Sequence, residues 1–195
     1  MDARFEEIYR HAGSVLGNTG SHGMDHTKRV TRMCRVIGER EQADMEILIP
    51  AALLHDIARP LEKEQGLPHE AEGARMAEIY LASIRYNPAL IPAISAAIRT
   101  HRFRSSERPE SPEAKILSDA DKLDALGAVG IARTFMRAAE HGGDIDDAVM
   151  HFYEKLLKLK DLMYTDTGRD IATERHAFLV TFIAELEHET DGSFP

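Results

Sequence analysis

Cysteine is almost missing from this chain: Cys34 is the only one in 195 residues. No intramolecular disulfide can form and a thiolate zinc site is excluded, which suits a reducing cytoplasm with the lone thiol packed as a small apolar group. Positive charge is also short. Lys and Arg number 24 against 33 Asp and Glu, a formal net charge of −9, so neither a nucleic-acid polymer nor an anionic membrane is expected as partner. An anionic ligand must then be met by local or metal-borne charge. No apolar stretch approaches spanning length, and the opening MDARFEEIYRHAG carries acids where a secretory leader needs a basic and then an apolar run, so a soluble, unprocessed cytoplasmic protein is expected. Strict apolar alternation, internal repeats and low-complexity stretches are absent, which removes the signals for half-buried strands and solenoids.

What is present is ordinary globular material, 43% hydrophobic and 29% charged, in a length that suits one domain with a sizeable core. Its apolar residues recur at helical spacing. Phe5, Ile8, Tyr9, Ala12, Val15 and Leu16 form a first stripe, stopped by GNTGSHG from Gly17 to Gly23. A second helix follows with Asp25 as its cap and His26, Val30, Met33, Cys34 and Ile37 on one face. Asp44 caps a third, expected to run as far as Pro60 and to be kinked or begun by Pro50. His69 heads the stripe through Ile84. Asn87-Pro88 is a start signal for the helix whose stripe ends at His101, and Ser111-Pro112-Glu113 begins one bearing Leu117, Ala120, Asp121 and Asp124. Gly127 and Gly130 interrupt the pattern before IARTFMRAAEH, Asp144 caps a helix expected to reach Met163, and a last helix spans Ile171 to Leu186. The expectation is a compact all-α domain of eight or nine helices over residues 1–195, with a motif core at about 22–127 completed by C-terminal helices at 128–189. The polar, Pro-containing loop from Arg102 to Ser111 is the natural substrate-facing segment.

The segment PAALLHDIARP, from Pro50 to Pro60, places His55-Asp56 directly behind an apolar run. A packed interior rejects an unpaired carboxylate, so such a pair is either a hydrogen-bonded core pair or part of a metal site. Periodicity turns His26, His55-Asp56, His101 and Asp121 inward from separate segments, with His69 as a fifth. One shared metal would satisfy them together, whereas separately each needs its own partner. Imidazole and carboxylate without thiolate suit an open site for manganese, magnesium, iron, cobalt or nickel better than closed structural zinc.

DHTKRV at Asp25–Val30, LLHDIAR at Leu53–Arg59 and SDADKLDALG at Ser118–Gly127 resemble the three signature segments of the HD-domain phosphohydrolases. The resemblance implies a helical core in which His26, His55, Asp56 and Asp121 bind a divalent ion. Asp121 is chosen over Asp119 and Asp124 because the family's ligand directly precedes a basic residue and a leucine. GAVGIARTF, KLLKLKD and GRDIATERHAFL extend the likeness to stand-alone bacterial and archaeal HD proteins, some of them nucleotide pyrophosphohydrolases. In two-metal relatives further histidines hold a second ion, and HEAEG at His69 is similar to the first of these positions. His101 stands beside Arg102 where those relatives carry a histidine pair, and their GYP signature is absent. One strong ion site is therefore expected, with His69 and His101 contacting substrate phosphate or a second, weaker ion.

The expected chemistry is hydrolysis of a phosphate ester or anhydride, most simply in a nucleotide, with metal-polarised phosphate and water. Asp56, Asp121 and Lys122 are the catalytic candidates. Arg29, Arg59, Arg102 and Arg104 are candidates for phosphate charge, Asp124 for orienting a ligand, and Glu62, Glu70 and Glu72 for acid-base work or plain helix-start surface. A phosphodiesterase or phosphomonoesterase is the alternative enzyme, and a metal- or nucleotide-binding sensor the alternative of another class. Monomer and homodimer are equally open.

Overall fold

Apolar residues three and four apart commit this chain to helices, and a computed structural model places them. It describes residues 3–17, 23–102 and 107–190, less the side chain of Lys63. Every regular element among the described residues is helical: ten α-helices and one 3-10 helix. The all-α expectation holds. The elements outnumber the eight or nine expected because α4 forms in a stretch read as a loop and the helix expected to reach Met163 divides into an α-helix and a 3-10 helix. The chain forms two compact units, Met1–Asp121 and Lys122–Pro195.

The first unit contains α1 (Ala3–Leu16), α2 (Met24–Arg40), α3 (Met45–Leu54), α4 (Arg59–Gln65), α5 (His69–Ser83), α6 (Ile91–Thr100) and most of α7 (Pro112–Leu123). Helix α3 is its axis, packed against α1, α2 and α6, while α5 packs on α6. Leu48 through Leu54 are all buried, the signature of a helix enclosed on every side. Each large aliphatic side chain there contributes about 1.5–3 kcal/mol by leaving water. Helix α2 comes close because Gly38 carries no side chain: a Cβ there would lie 2.6 Å from Leu48 Cδ2. Asp44 caps α3 as expected, its carboxylate accepting from Glu46 N–H at 2.8 Å, and Glu113 at the start of α7 accepts from Asp44 N–H at 3.1 Å.

Pro50 lies inside α3 and removes the N–H that would bond the Glu46 carbonyl. Tyr86 O–H donates to that carbonyl at 2.7 Å instead, so the helix continues through the proline. Pro60 acts differently from expectation. Lacking an N–H, it cannot bond the Asp56 carbonyl, and the ladder stops one turn early: His55 to Ala58 form a turn, and Pro60 opens α4 in its first turn rather than closing the preceding helix. Two further boundaries differ. The cap of α2 is Gly23, with Asp25 inside the first turn. Asn87 caps a turn, its side chain accepting from Ala89 N–H at 3.1 Å, and α6 begins at Ile91 with Pro92 in its first turn. Residues 18–22 of the GNTGSHG loop lie outside the described residues.

The second unit holds α8 (Gly127–Glu140), α9 (Ile145–Glu154), a 3-10 helix (Leu156–Leu162) and α10 (Asp166–Thr190). Gly127, at φ +68°, starts α8 against the aliphatic stem of Arg175, and α8 runs through Gly130 rather than being interrupted there. A Cβ on Gly130 would lie 2.2 Å from the Ala125 carbonyl oxygen, which explains the glycine. Asp144 and Asp147 form a reciprocal capping box at α9. That helix does not reach Met163. The stretch after Lys155 tightens to 3-10 geometry, where the buried Leu156 and Leu159, three apart, fall on one face. Phe135 contacts Phe152 and Phe182 edge-on, with ring centroids 5.9 and 6.2 Å away. Helix α10 runs longer at both ends than the Ile171–Leu186 expected.

Candidate metal centre

Five helices of the first unit each bring an imidazole or carboxylate to one buried cluster. His26 is the third residue of α2, His55 caps the C-terminus of α3 with Asp56 in the following turn, and His69 is the first residue of α5. His101 caps the C-terminus of α6, and Asp121 lies in the last turn of α7. The four histidines and Asp56 are at most 2% exposed. Helix ends serve here because a side chain at a terminus can turn away from its own helix axis. The break made by Pro60 puts Asp56 at such a point.

Backbone carbonyls set the direction of two imidazoles. A carbonyl only accepts, so Nδ1 of His55 donates to the Ala52 oxygen at 2.8 Å and Nδ1 of His101 donates to the Ile98 oxygen at 2.6 Å. With Nδ1 so engaged, Nε2 is the nitrogen each ring turns toward the cluster, the arrangement a metal-ligating histidine requires. Ser118 O–H donates to the His101 carbonyl at 3.0 Å, tying this corner to α7. Nε2 of His55 is 3.2 Å from Nε2 of His26, which is 3.3 Å from Asp121 Oδ1 and 3.5 Å from Asp56 Oδ2. His55 Nε2 is 3.7 Å from the same Oδ2.

The other Asp56 oxygen faces different company. Arg59 Nε donates to Oδ1 at 2.9 Å, and Oδ1 stands 3.4 Å from His69 Nε2 and 3.8 Å from His101 Nε2. Arg59 also donates through Nη1 to Glu62 Oε2 at 2.7 Å, the oxygen that lies 3.1 Å from His69 Nδ1. Arg102 Nη1 reaches Glu62 and Glu70, each at 3.2 Å. His69 is fully buried with carboxylates near both ring nitrogens, yet neither nitrogen makes an aligned hydrogen bond. Among the described residues, three groups have donor atoms close enough to share a cation: His26–His55–Asp121, His55–Asp56–His101 and Glu62–His69–Glu70.

Electrostatics favour the ligand forms. Burial first, and the nearby His101 and His26, push His55 down to about 4 against the pull of Asp56 and Asp121. His69 is lowered to about 4 by burial and the Arg59 charge. Burial raises the Asp121 carboxyl, but its contact with His26, backed by His101 and His55, outweighs this and holds it well below the usual carboxylate range. At neutral pH, His55 and His69 are thus neutral and Asp121 ionised. Burial would strip Arg59 of charge, but Asp56, Asp121 and Glu62 prevail and raise its pKa. Cys34 is fully buried, and its thiol is pushed up by burial and by Asp121 and Asp119, which makes it inert.

The remaining candidates are dispersed. Arg29 is half-buried one turn along α2 from His26, and Glu72 pairs with Arg75 on the surface of α5. Arg104 and most of the basic loop beside it lie outside the described residues. In the second unit, Lys122 Nζ rests 4.5 Å from the centre of the Tyr164 ring, and Asp124 accepts from Arg133 at 2.7 Å. Sequence reasoning left Glu62 and Glu70 as equivalent to Glu72. The structure separates them, bringing the first two against His69. Their one sequence signal was proximity to Pro60 and Pro68, which fold the α4–α5 connection back.

A helical scaffold that gathers buried histidines and aspartates with their lone pairs turned inward is of the class that holds a divalent ion for hydrolysis. The chain belongs to the HD-domain superfamily of phosphohydrolases: the family model described as HD domain matches residues 23–126. It is 37% identical to the Bacillus subtilis (strain 168) protein YpgQ over 198 residues, covering 96% of this chain and 94% of that one. The crystal structure of YpgQ in complex with ADP matches with a TM-score of 0.79 at 35% identity, over 95% of this chain and 97% of that chain. An HD-superfamily hydrolase from Bacillus thuringiensis matches with a TM-score of 0.77 at 32% identity, over 96% and 97% of the two chains. Membership carries the general activity, metal-dependent phosphohydrolysis.

Proposed function

We propose that this protein is a nucleotide phosphohydrolase or pyrophosphohydrolase. The observation that carries the reading is the meeting of His26, His55, Asp56 Oδ2 and Asp121 in one buried cluster of the first unit. In this reading those four residues hold the ion. The donor set fits, since imidazole and carboxylate without thiolate suit manganese, magnesium, iron, cobalt or nickel. Such an ion supplies Lewis acidity toward phosphate and an acidified water.

The protein's own groups then divide the work. His26 and His55 hold position through their helices, and the Ala52 carbonyl keeps His55 in the ligand tautomer. Asp121 is the better of the two acids to orient the attacking water, its side chain 24% exposed where Asp56 is 1% exposed. Arg29 and Arg102 are the candidate phosphate cations of the first unit, His69 and His101 are its further candidates for substrate contact, and Lys122 is the candidate cation of the second unit. Asp124 stands as a positioning candidate. Nucleotide as the substrate class draws support from the ADP complex of YpgQ. The family match runs across the boundary between the two units, which supports reading residues 1–195 as one functional domain.

The test is a release assay on metal-loaded protein with nucleoside mono-, di- and triphosphates and cyclic nucleotides. Pyrophosphate or phosphate from the di- and triphosphates is the expected result. Ring opening of cyclic nucleotides alone would move the assignment to a phosphodiesterase. Binding without turnover under any of several divalent ions would make the protein a sensor.

A further inference from the structure

The two oxygens of Asp56 face unequal surroundings, and Arg59 makes the difference. Oδ2 stands 3.5 Å from His26 Nε2 and 3.7 Å from His55 Nε2. Oδ1 is held by Arg59 Nε at 2.9 Å, and the same guanidinium holds Glu62 Oε2 at 2.7 Å. These are the two oxygens that stand opposite the two ring nitrogens of His69, at 3.4 and 3.1 Å. Without Arg59, the fully buried His69, with His101, Asp56 Oδ1 and Glu62, would make a mixed imidazole-carboxylate pocket. Each of those donor types suits a divalent cation.

We propose that Arg59 is the fixed cation of this half of the site, clamping Asp56 Oδ1 and Glu62 and thereby limiting the centre to a single divalent ion. The proposal rests on the reading of His26, His55, Asp56 and Asp121 as ligands and adds the ion count and the residue that sets it. A guanidinium suits the task. It never loses its proton, and its planar fork bonds two carboxylates at once. A divalent ion entering beside His69 would have to displace a double clamp and accept a positive charge at close range. Arg59 also turns Asp56, so that its other oxygen is the one presented to His26 and His55. This makes Arg59 a positioning residue with a charge, distinct from an arginine that meets substrate phosphate.

Ion stoichiometry tests the proposal without reference to turnover. Equilibrium dialysis against excess manganese is run on the wild type, Arg59→Met, Arg59→Gln and His55→Ala, together with manganese electron paramagnetic resonance. Folding is checked by thermal melting. The wild type is expected to bind about one ion per chain with an isolated-ion spectrum. Both Arg59 variants are expected to bind about two and to show the exchange-coupled spectrum of ions about 3.5–4 Å apart. Adding His69→Ala to Arg59→Met should return the count to about one. Two ions in the wild type would overturn the proposal whatever the variants do, as would a single ion in either folded Arg59 variant. Retention of the ion by folded His55→Ala would instead overturn the ligand reading on which the proposal rests.

Discussion

The two sides of Asp56 face different charge. On one side His26 and His55 approach Oδ2, with Asp121 against His26. On the other, Arg59 lies across Oδ1 and Glu62, with His69 beside both. A carboxylate that is 1% exposed is costly to keep charged unless cations or hydrogen bonds hold it, and on the Oδ1 side Arg59 does so. The contrast teaches that burial alone does not identify a metal ligand. What distinguishes the two oxygens is the company they keep, a guanidinium at Oδ1 and two imidazoles at Oδ2.

The largest expected effect comes from breaking the shared element. Asp56→Ala and His55→Ala should each lower kcat/KM by at least about 10²–10³-fold, with ion binding lost alongside. His69→Ala, on the guanidinium side, should cost only about 10–100-fold and leave the ion bound. Equal losses in steady-state assays with parallel metal analysis would erase the distinction between the two sides.

Acid titration probes both sides together in the metal-free protein. His55 and His69 have folded pKa values near 4 against an ordinary 6.5, so the unfolded chain binds their protons more readily than the folded one. Stability is therefore complete above about pH 6.5 and is lost as pH falls through the window toward 4, by on the order of 3 kcal/mol for His55. Asp121, depressed below its ordinary value, adds a further loss beneath about pH 4. Denaturant melts at stepped pH would show this, and a flat profile between pH 7 and 4 would contradict the burial of neutral imidazoles.

A third prediction moves from the cluster to the helix that carries it. Tyr86→Phe removes the donor to the carbonyl orphaned by Pro50 and should destabilise the fold by about 1–3 kcal/mol, seen in chemical denaturation. The site distances stay intact, so turnover at saturating metal should hardly change. The smallest effect belongs to Glu72→Gln. Its partner is the exposed Arg75, so activity and melting temperature should remain those of the parent, in contrast to Glu62 only ten positions earlier.

The core and the inward histidines were legible in the sequence because both rest on period and residue type. Stripes led by His26 and His69, and one closed by His101, placed three imidazoles inward before any distance was known. Membership in the family followed from three short segments. The helix boundaries were less legible at prolines. Pro50 continues a helix because a tyrosine 36 positions later satisfies the freed carbonyl, while before Pro60, which has no N–H to offer Asp56, the ladder tightens and Arg59 N–H bonds the Asp56 carbonyl at 2.9 Å. Nothing local to either proline separates these outcomes. Arg59 was legible as a cation near phosphate chemistry but not as a clamp, since its second contact, to Glu62, depends on the turn that Pro60 creates. Lys122 was legible as a cation from its adjacency to Asp121, whereas its place 4.5 Å from the centre of the Tyr164 ring depends on a residue 42 positions away.

The central claim is that a divalent ion is held on the Oδ2 side of Asp56. Anomalous scattering from manganese-soaked crystals tests it most directly. The account predicts a peak ligated by His26 Nε2, His55 Nε2, Asp56 Oδ2 and Asp121 Oδ1. A peak confined to Glu62, His69 and Glu70, or no peak near His55 and Asp56 at saturating manganese, would contradict it.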